Sequence, residues 1–407
     1  MSELNLATWN WRHRASNTAH SVSKSDTACT HVRVTIVDDL PSLSAIWQAW
    51  EPHTVGTVFQ TFELFAAWAT HIAPAHTGMW FVVVVYDKRM AMPRFLLPLY
   101  QHTCNGVTII EPVDLGVCDF NSPVLAKDFA PSRAEMTAIW SAVLDALPTS
   151  DLIQVSKLPS HIAGNPNPML LLNNVHPIKL SNFKTNLRTP TGTWTPANLP
   201  AAVFDDVSRR RRKLDKRAIV TLRTAQTAAE ADTFFAAMLE QRAARCHAMG
   251  RDNVLDCAST RTFYRALITP GNPASVGSIQ ALFADDEIIA TGYSLIGNHA
   301  LHMIFPTFKG ERWRNYSPGL QLFVDTMAWA ATHGLTAYDF TIGDESFKAE
   351  LGAEQYPLYE YLVAITARGK PTLYHDRLRR FVRKNPRMLR LVARWRKFGN
   401  TRAGARS

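Results

Sequence analysis

Asn315-Tyr316-Ser317-Pro318-Gly319 runs straight into an apolar-periodic segment from Leu320 to His333, and these residue types at a helix start can hold an anion. Ser317 can cap the helix through its hydroxyl. Pro318 suits the first helical position, where a missing N–H costs nothing, and Gly319 leaves the backbone open. Exposed N–H groups and the positive end of the helix dipole favour a phosphate there. Arg312 and Arg314, just upstream, can add charge or can simply stand in a solvated loop. Asp344 and Glu345 follow a strand end, where open α/β sheets place their sites; one is expected to cap the next helix and the other to meet substrate. Lys348 can meet substrate or can simply pair with Asp344 as an i,i+4 partner. His302 alternates away from Leu301 and Met303 on a strand, so it can line a cleft as a general base or sit satisfied in the core.

The elements that must position these residues occur twice. Strand Val32 to Val37, helices Leu40 to Trp50 and Phe62 to Ile72, strands Trp80 to Tyr86, Pro93 to Tyr100 and Val107 to Ile110, helix Ser132 to Leu147 and strand Leu152 to Val155 form the first set. Strand Ile219 to Leu222, helices Ala228 to Met249 and Thr260 to Ile268, strands Ser278 to Phe283, Ile288 to Ile296 and Ala300 to Phe305 follow the same order. That set continues with helix Pro318 to His333, closed by Gly334, strand Ala337 to Phe340, a short helix Asp344 to Leu351 and strand Leu358 to Ile365. The fold class is therefore mixed α/β in two tandem copies. Residues 157 to 200, rich in Pro, Asn and Thr, read as the end of the first copy and a linker, with the boundary near 200. The first copy has no Ser-Pro-Gly and no arginines in the loop that leads into its third helix.

A chain of 407 residues, 46% hydrophobic, can bury a large core. Its longest apolar run, Trp80 to Tyr86, is far below the roughly 20 residues of a bilayer span, and the first thirty residues lack a secretory signal and read as disordered. The expected compartment is the cytoplasm. Five cysteines without a CxxC pair read as free thiols, not as zinc or redox ligands, and no metal is expected. Adjacent Cys246 and His247 point apart on a helix, which argues against a Cys/His nucleophile. Of the net charge of +10, residues 376 to 407 carry +11, from ten Arg and two Lys against one Asp, so the remaining body is near −1. Within that tail, Met388, Leu391, Val392, Trp395 and Phe398 form an apolar stripe opposite Arg387, Arg390, Arg394 and Lys397; residues 385 to 398 suggest an anionic membrane surface at the inner face of the cell membrane, or a helix docked on the protein itself. Arg209 to Lys213 has no interleaved aromatics, so it reads as a solvated linker helix and nucleic acid is not expected as a partner.

Tyr316-Ser317-Pro318-Gly319, then Tyr338-Asp339-Phe340, then Gly343-Asp344-Glu345-Ser346-Phe347-Lys348 resembles the CelD/BcsL group, whose pattern is Y-S-P-G, F-D-F and G-D-E-x-Y-K. Those proteins are tandem chains of the GNAT acyltransferase fold, often found with cellulose or exopolysaccharide genes. Phe347 stands where the group has tyrosine, and Phe340-Thr341-Ile342-Gly343 where it has F-L-R-G. The resemblance implies a degenerate GNAT-like domain over 31–200, an acyltransferase domain over 201–370 and a basic tail over 371–407. It implies acetyl-CoA or another acyl-CoA as donor, its pyrophosphate held by Arg312, Arg314, Asn315, Tyr316, Ser317, Pro318, Gly319 and Leu320. It further implies a small-molecule or glycan acceptor, a base among His302, Asp344 and Glu345, and Tyr316 as thiol proton donor in place of Phe347. Asp119 and Asn121, with Gly116 and Pro123, resemble the family's G-x-x-x-D-Y loop and can shape an acceptor cleft between the copies. Two alternatives fit the same fold: an aminoacyl transferase like the FemABX proteins, which take the acyl group from charged tRNA, and a non-catalytic accessory protein of polysaccharide synthesis.

Overall fold

The computed structural model describes residues 32–88, 92–190, 192–272 and 275–375. The segment read as disordered and the amphipathic helix expected over 385–398 lie outside them. The first repeat comprises β1 (Val32–Val37), α1 (Leu40–Trp50), α2 (Phe62–His71), β2 (Met79–Asp87), β3 (Pro93–Cys104), β4 (Val107–Pro112), α3 (Arg133–Ala146) and β5 (Leu152–Pro159), followed by β6 (Val175–Asn186). Helix α4 (Ala201–Asp215) leads into the second: β7 (Val220–Thr224), α5 (Ala228–Met249), α6 (Ala258–Ala266), β8 (Gly277–Ala284), β9 (Glu287–Gly297) and β10 (Ala300–Phe308). It ends with α7 (Pro318–Thr332), β11 (Ala337–Ile342), α8 (Ser346–Glu350) and β12 (Glu354–Ala364).

Local chemistry accounts for most boundaries. Helices α3 and α5 open with reciprocal capping boxes, Ser132 with Glu135 and Thr227 with Glu230. The hairpins turn where two successive residues take positive φ, Asn105-Gly106 (51° and 76°) and Asn298-His299 (50° and 59°). Asparagine tolerates this region because its short side chain bonds locally.

Twelve strands form one unbroken row in the order β1-β2-β3-β4-β5-β12-β6-β11-β10-β9-β8-β7. Only β4 with β5 and β10 with β11 run parallel, each pair joined through the helix between them, α3 and α7. At the centre the two repeats exchange their last strands. β6, which follows the first repeat, pairs with β11 of the second, and β12, the last strand of the second, pairs with β5 of the first. β6 and β12 also pair with each other. The Pro- and Asn-rich region between the copies thus contributes a central strand.

Helices α1, α2, α5 and α6 share one face of this sheet over a single core that runs from Trp47, Phe65 and Trp68 to Phe234, Phe263 and Tyr293. On the other face α3 and α7 cover separate cores, one around Met136 and Trp140, the other around Val324, Met327 and Tyr338. The two repeats are therefore fastened along one side and spaced apart on the other.

Candidate active site

β10 and β11 are in register only at Ala300–Ala337, Leu301–Tyr338 and His302–Asp339. Beyond that last pair they part. β10 runs on to Phe308 while β11 bends at Thr341, a β-branched residue at φ 59°, and at Gly343, φ 128°. Thr341 is held in this costly conformation by its amide, which donates to Asp339 Oδ1 at 2.7 Å, and by its hydroxyl, which donates to the Met303 carbonyl at 3.4 Å. A wedge thus opens between the strands beside the first turn of α7. In the first repeat β4 and β5 part in the same way after Ile110–Ile153.

The start of α7 differs from its expected form. Pro318 does occupy the first position, but Ser317 is left-handed (φ 51°, ψ 59°) and makes no side-chain cap. Its hydroxyl instead accepts from Arg210 Nη1 at 2.9 Å, because α4 lays the arginine run across this turn. Arg210 also reaches the Asn315 carbonyl at 3.4 Å, and Arg211 pairs with Asp325 at 2.8 Å. The run read as a solvated helix is thus partly a packing face. Gly319 is not open either. A Cβ there would lie 2.7 Å from the Phe308 ring, so glycine is required by that close approach. The Leu320 and Gln321 amides both donate to the Ser317 carbonyl, which leaves fewer outward donors than the sequence suggests. Even so, α7 has no acidic residue in its first turn, whereas the Glu135 carboxylate fills the corresponding end of α3. Replacing Gly319 by alanine should destabilise the fold by about 1–3 kcal/mol through overpacking, measured by urea denaturation, with Phe308→Leu in the same chain restoring part of the loss.

His302 and Asp339 sit at the apex of the wedge, 7% and 3% exposed, with His302 Nδ1 3.6 Å from Asp339 Oδ2. Burial pushes the imidazole down to about 3 and the carboxyl up to about 7. Lys184 lowers both, while Asp119 raises Asp339 and the Thr341 amide lowers it. Asn182 Nδ2 approaches Asp339 Oδ2 at 3.3 Å. His302 Nδ1 has no hydrogen-bond partner, and the ring lies edge-on between Phe59 and Phe120 of the first repeat, with centroids 5.7 and 6.0 Å away.

The loop that brings Phe120 and Asp119 across is built within the first repeat. Lys157 Nζ binds Asp114 Oδ2 and the Cys118 carbonyl, each at 2.7 Å, and Asn121 Nδ2 binds Asp114 Oδ2 at 3.0 Å and the Ser156 carbonyl at 3.2 Å. Asn121 is therefore a loop fastener. Asp119 reaches the Thr341 side chain of the second repeat, and burial pushes its carboxyl up to about 6. Of the residues expected to carry chemistry, His302 and Asp119 are thus brought together. Asp339, seen in the sequence only as part of a motif, joins them.

The others are not. Asp344 and Glu345 are exposed, and neither caps α8. Glu345 pairs instead with Lys348 at 3.0 Å. Lys348 is buried and donates to the carbonyls of Thr341, Ile342 and Gly343 at 3.4, 3.0 and 3.2 Å, so it holds the bend in β11 and is not the partner of Asp344. Arg312 is paired with Glu287, while Arg314 and Asn315 are exposed. Tyr316 is half-buried against Trp313, and Phe347 packs on Phe323 with centroids 5.0 Å apart.

Residues 202–349 match the family described as an acetyltransferase (GNAT) domain. That match lies within the second repeat, from α4 to α8. Among solved structures, FemX superposes on the chain with a TM-score of 0.53 at 11% identity, over 79% of this chain and 96% of that one. A conserved protein of unknown function from Bacteroides thetaiotaomicron VPI-5482 gives 0.52 at 10% identity, over 81% and 100%. At such identities the likeness is one of fold, and it extends over both repeats. No curated protein matches the chain. Among the described residues no helix is long and apolar enough to cross a membrane, and no group of His, Cys, Asp and Glu could hold a metal ion.

Proposed function

We propose that the second repeat transfers an acyl group from an acyl-CoA to an amine or hydroxyl of a sugar, polysaccharide or cell-envelope precursor, as the likeness to CelD/BcsL chains implies. The observation that carries this reading is the wedge between β10 and β11, with α7 at its mouth and the buried His302–Asp339 pair at its apex. The uncapped, acid-free first turn of α7, with Arg210 on its serine, suits the diphosphate of the donor. The wedge suits an extended pantetheine arm lying beside the free edge of β10.

His302 faces the first repeat, on the side of the sheet opposite α7. The acceptor then approaches past Asp119, and the imidazole takes its proton, with Asp339 stabilising the imidazolium. A contact of 3.6 Å is long for a hydrogen bond and is the kind that tightens once substrate is bound. Tyr316, at the donor end, is the group that can return a proton to the leaving sulfur, because Phe347 cannot. On this reading Asp344, Glu345, Arg314 and Asn315 lie at the rim.

The test is thermal stability of the full chain with acetyl-CoA, longer acyl-CoAs and free CoA. At a ligand concentration one hundred times Kd, one-site binding adds about 2.7 kcal/mol, a rise of several degrees in Tm. Absence of any rise with every CoA species would remove the reading. The fold likeness to FemX favours one alternative, an aminoacyl-tRNA donor. It predicts no response to CoA together with RNA binding that weakens steeply with salt.

A further inference from the structure

Two arginines of α5 remain outside this scheme. Arg242 lies over the Phe305 ring, 4.4 Å from its centroid, and Arg245 lies over Phe308 at 5.1 Å. Three residues apart, they share one side of the helix. Both rings belong to the stretch of β10 that has left β11. Phe305 pairs with Tyr293 and His302 with Leu295, and Tyr293 and Leu295 are alternate residues on one face of β9. Phe305 therefore follows His302 on the same face, roughly 7 Å further along the wedge.

These guanidinium groups are held by neutral partners. Arg242 Nε donates to Asn253 Oδ1 at 2.8 Å, and Asn253 is in turn fixed by Asp256 at 3.0 Å. Among the described residues no carboxylate forms an ion pair with Arg242 or Arg245, and the two charges oppose each other. In α4, by contrast, Arg209 and Arg210 share Asp206, and Arg211 has Asp215 and Asp325. A like-charged pair on aromatic platforms, with no hydrogen bond from the outer N–H groups among the described residues, matches an oxyanion.

We infer that Arg242 and Arg245 form a subsite for an anionic group of the acceptor, a phosphate or a carboxylate, beside the stretch of β10 just beyond His302. The inference rests on the acyl transfer reading for its geometry, but its binding test stands apart. The full chain, saturated with CoA to occupy the α7 turn, is titrated calorimetrically with glucosamine, glucosamine 6-phosphate and glucuronate. At least one of the two anions should bind tenfold or more tightly than the neutral sugar, and which one does so separates phosphate from carboxylate. That gain should fall at least tenfold in Arg242→Gln and in Arg245→Gln while CoA affinity is unchanged. Arg245 is exposed, so its variant keeps the fold even if Arg242→Gln weakens it. Equal binding of all three sugars, or a gain that survives both substitutions, would overturn the inference. Failure of CoA to bind would remove the donor reading alone, since the same anion titration without CoA still reads the arginines.

Discussion

His302→Ala will lower kcat for acyl transfer by about 10²–10⁴-fold, the usual contribution of a positioned base, and leave CoA affinity within a factor of two. The separation follows from placement. The imidazole points to the first repeat, whereas the donor's diphosphate is assigned to α7 on the opposite face. Release of free thiol in single turnovers, with the best acceptor from a panel of amino sugars and sugar phosphates, provides the measurement. A loss below threefold would exclude His302 as the base. A large loss accompanied by weakened CoA binding would point to collapse of the wedge instead. Above pH 7, where the Asp339 carboxyl is ionised, Asp339→Asn should lower the same rate, since a neutral amide cannot stabilise the imidazolium.

Asp339→Asn should also stabilise the protein, and only above a certain pH. Burial lifts the folded carboxyl from 3.8 to about 7, against the counter-pull of the Thr341 amide, Lys184 and Asn182. Below the unfolded value both states are protonated and nothing is lost. Between about 4 and 7 the unfolded chain ionises while the folded one keeps its proton, so stability drains away as pH rises, and above about 7 the loss is complete. The amide lacks this liability. Its advantage over the parent should be near zero at pH 4 and reach a few kcal/mol at pH 8, because each tenfold difference in proton affinity between the folded and unfolded chain is worth about 1.4 kcal/mol. His302 acts in the opposite sense, with stability lost as pH falls from 6.5 towards about 3, and its contribution is greatest away from pH 8, where the comparison is read. Asp119, itself lifted to about 6, raises Asp339 once ionised and so helps to hold the upper end of this window near 7. Urea midpoints across pH 4 to 8 would show this. An amide variant no more stable than the parent at pH 8 would mean that the carboxyl is ionised at little cost. A residue that weakens the fold at working pH yet sits at the apex of the wedge is what a site selected for reactivity looks like.

Much of this architecture was legible because local signals agree. Capping boxes, Asn-centred hairpin turns and apolar periodicity each mark an element, and their order repeats. β6 escaped because its core-facing residues are interleaved with Pro177, Lys179 and Asn182, and its partners β11 and β12 lie far along the chain. His302 was found by strand alternation. Asp339 was not singled out, because a carboxylate inside an apolar strand carries no sign of its role until a second strand places a histidine opposite. Asp344 and Glu345 misled for the converse reason: adjacent acids at a helix start look purposeful whether or not anything faces them. Arg210, Arg242 and Arg245 sit on charged helices, where charge periodicity looks alike for solvent and for a buried neighbour.

The reciprocal placement of β6 and β12 binds the fate of one copy to that of the other. Cut near residue 200, the N-terminal fragment would keep β6 without either of its neighbours and leave β5 as a bare edge, and the C-terminal fragment would suffer the same with β12 and β11. A half whose own helix end is sealed by Glu135 therefore cannot be discarded. Selection would retain it as the wall and the seam of its twin.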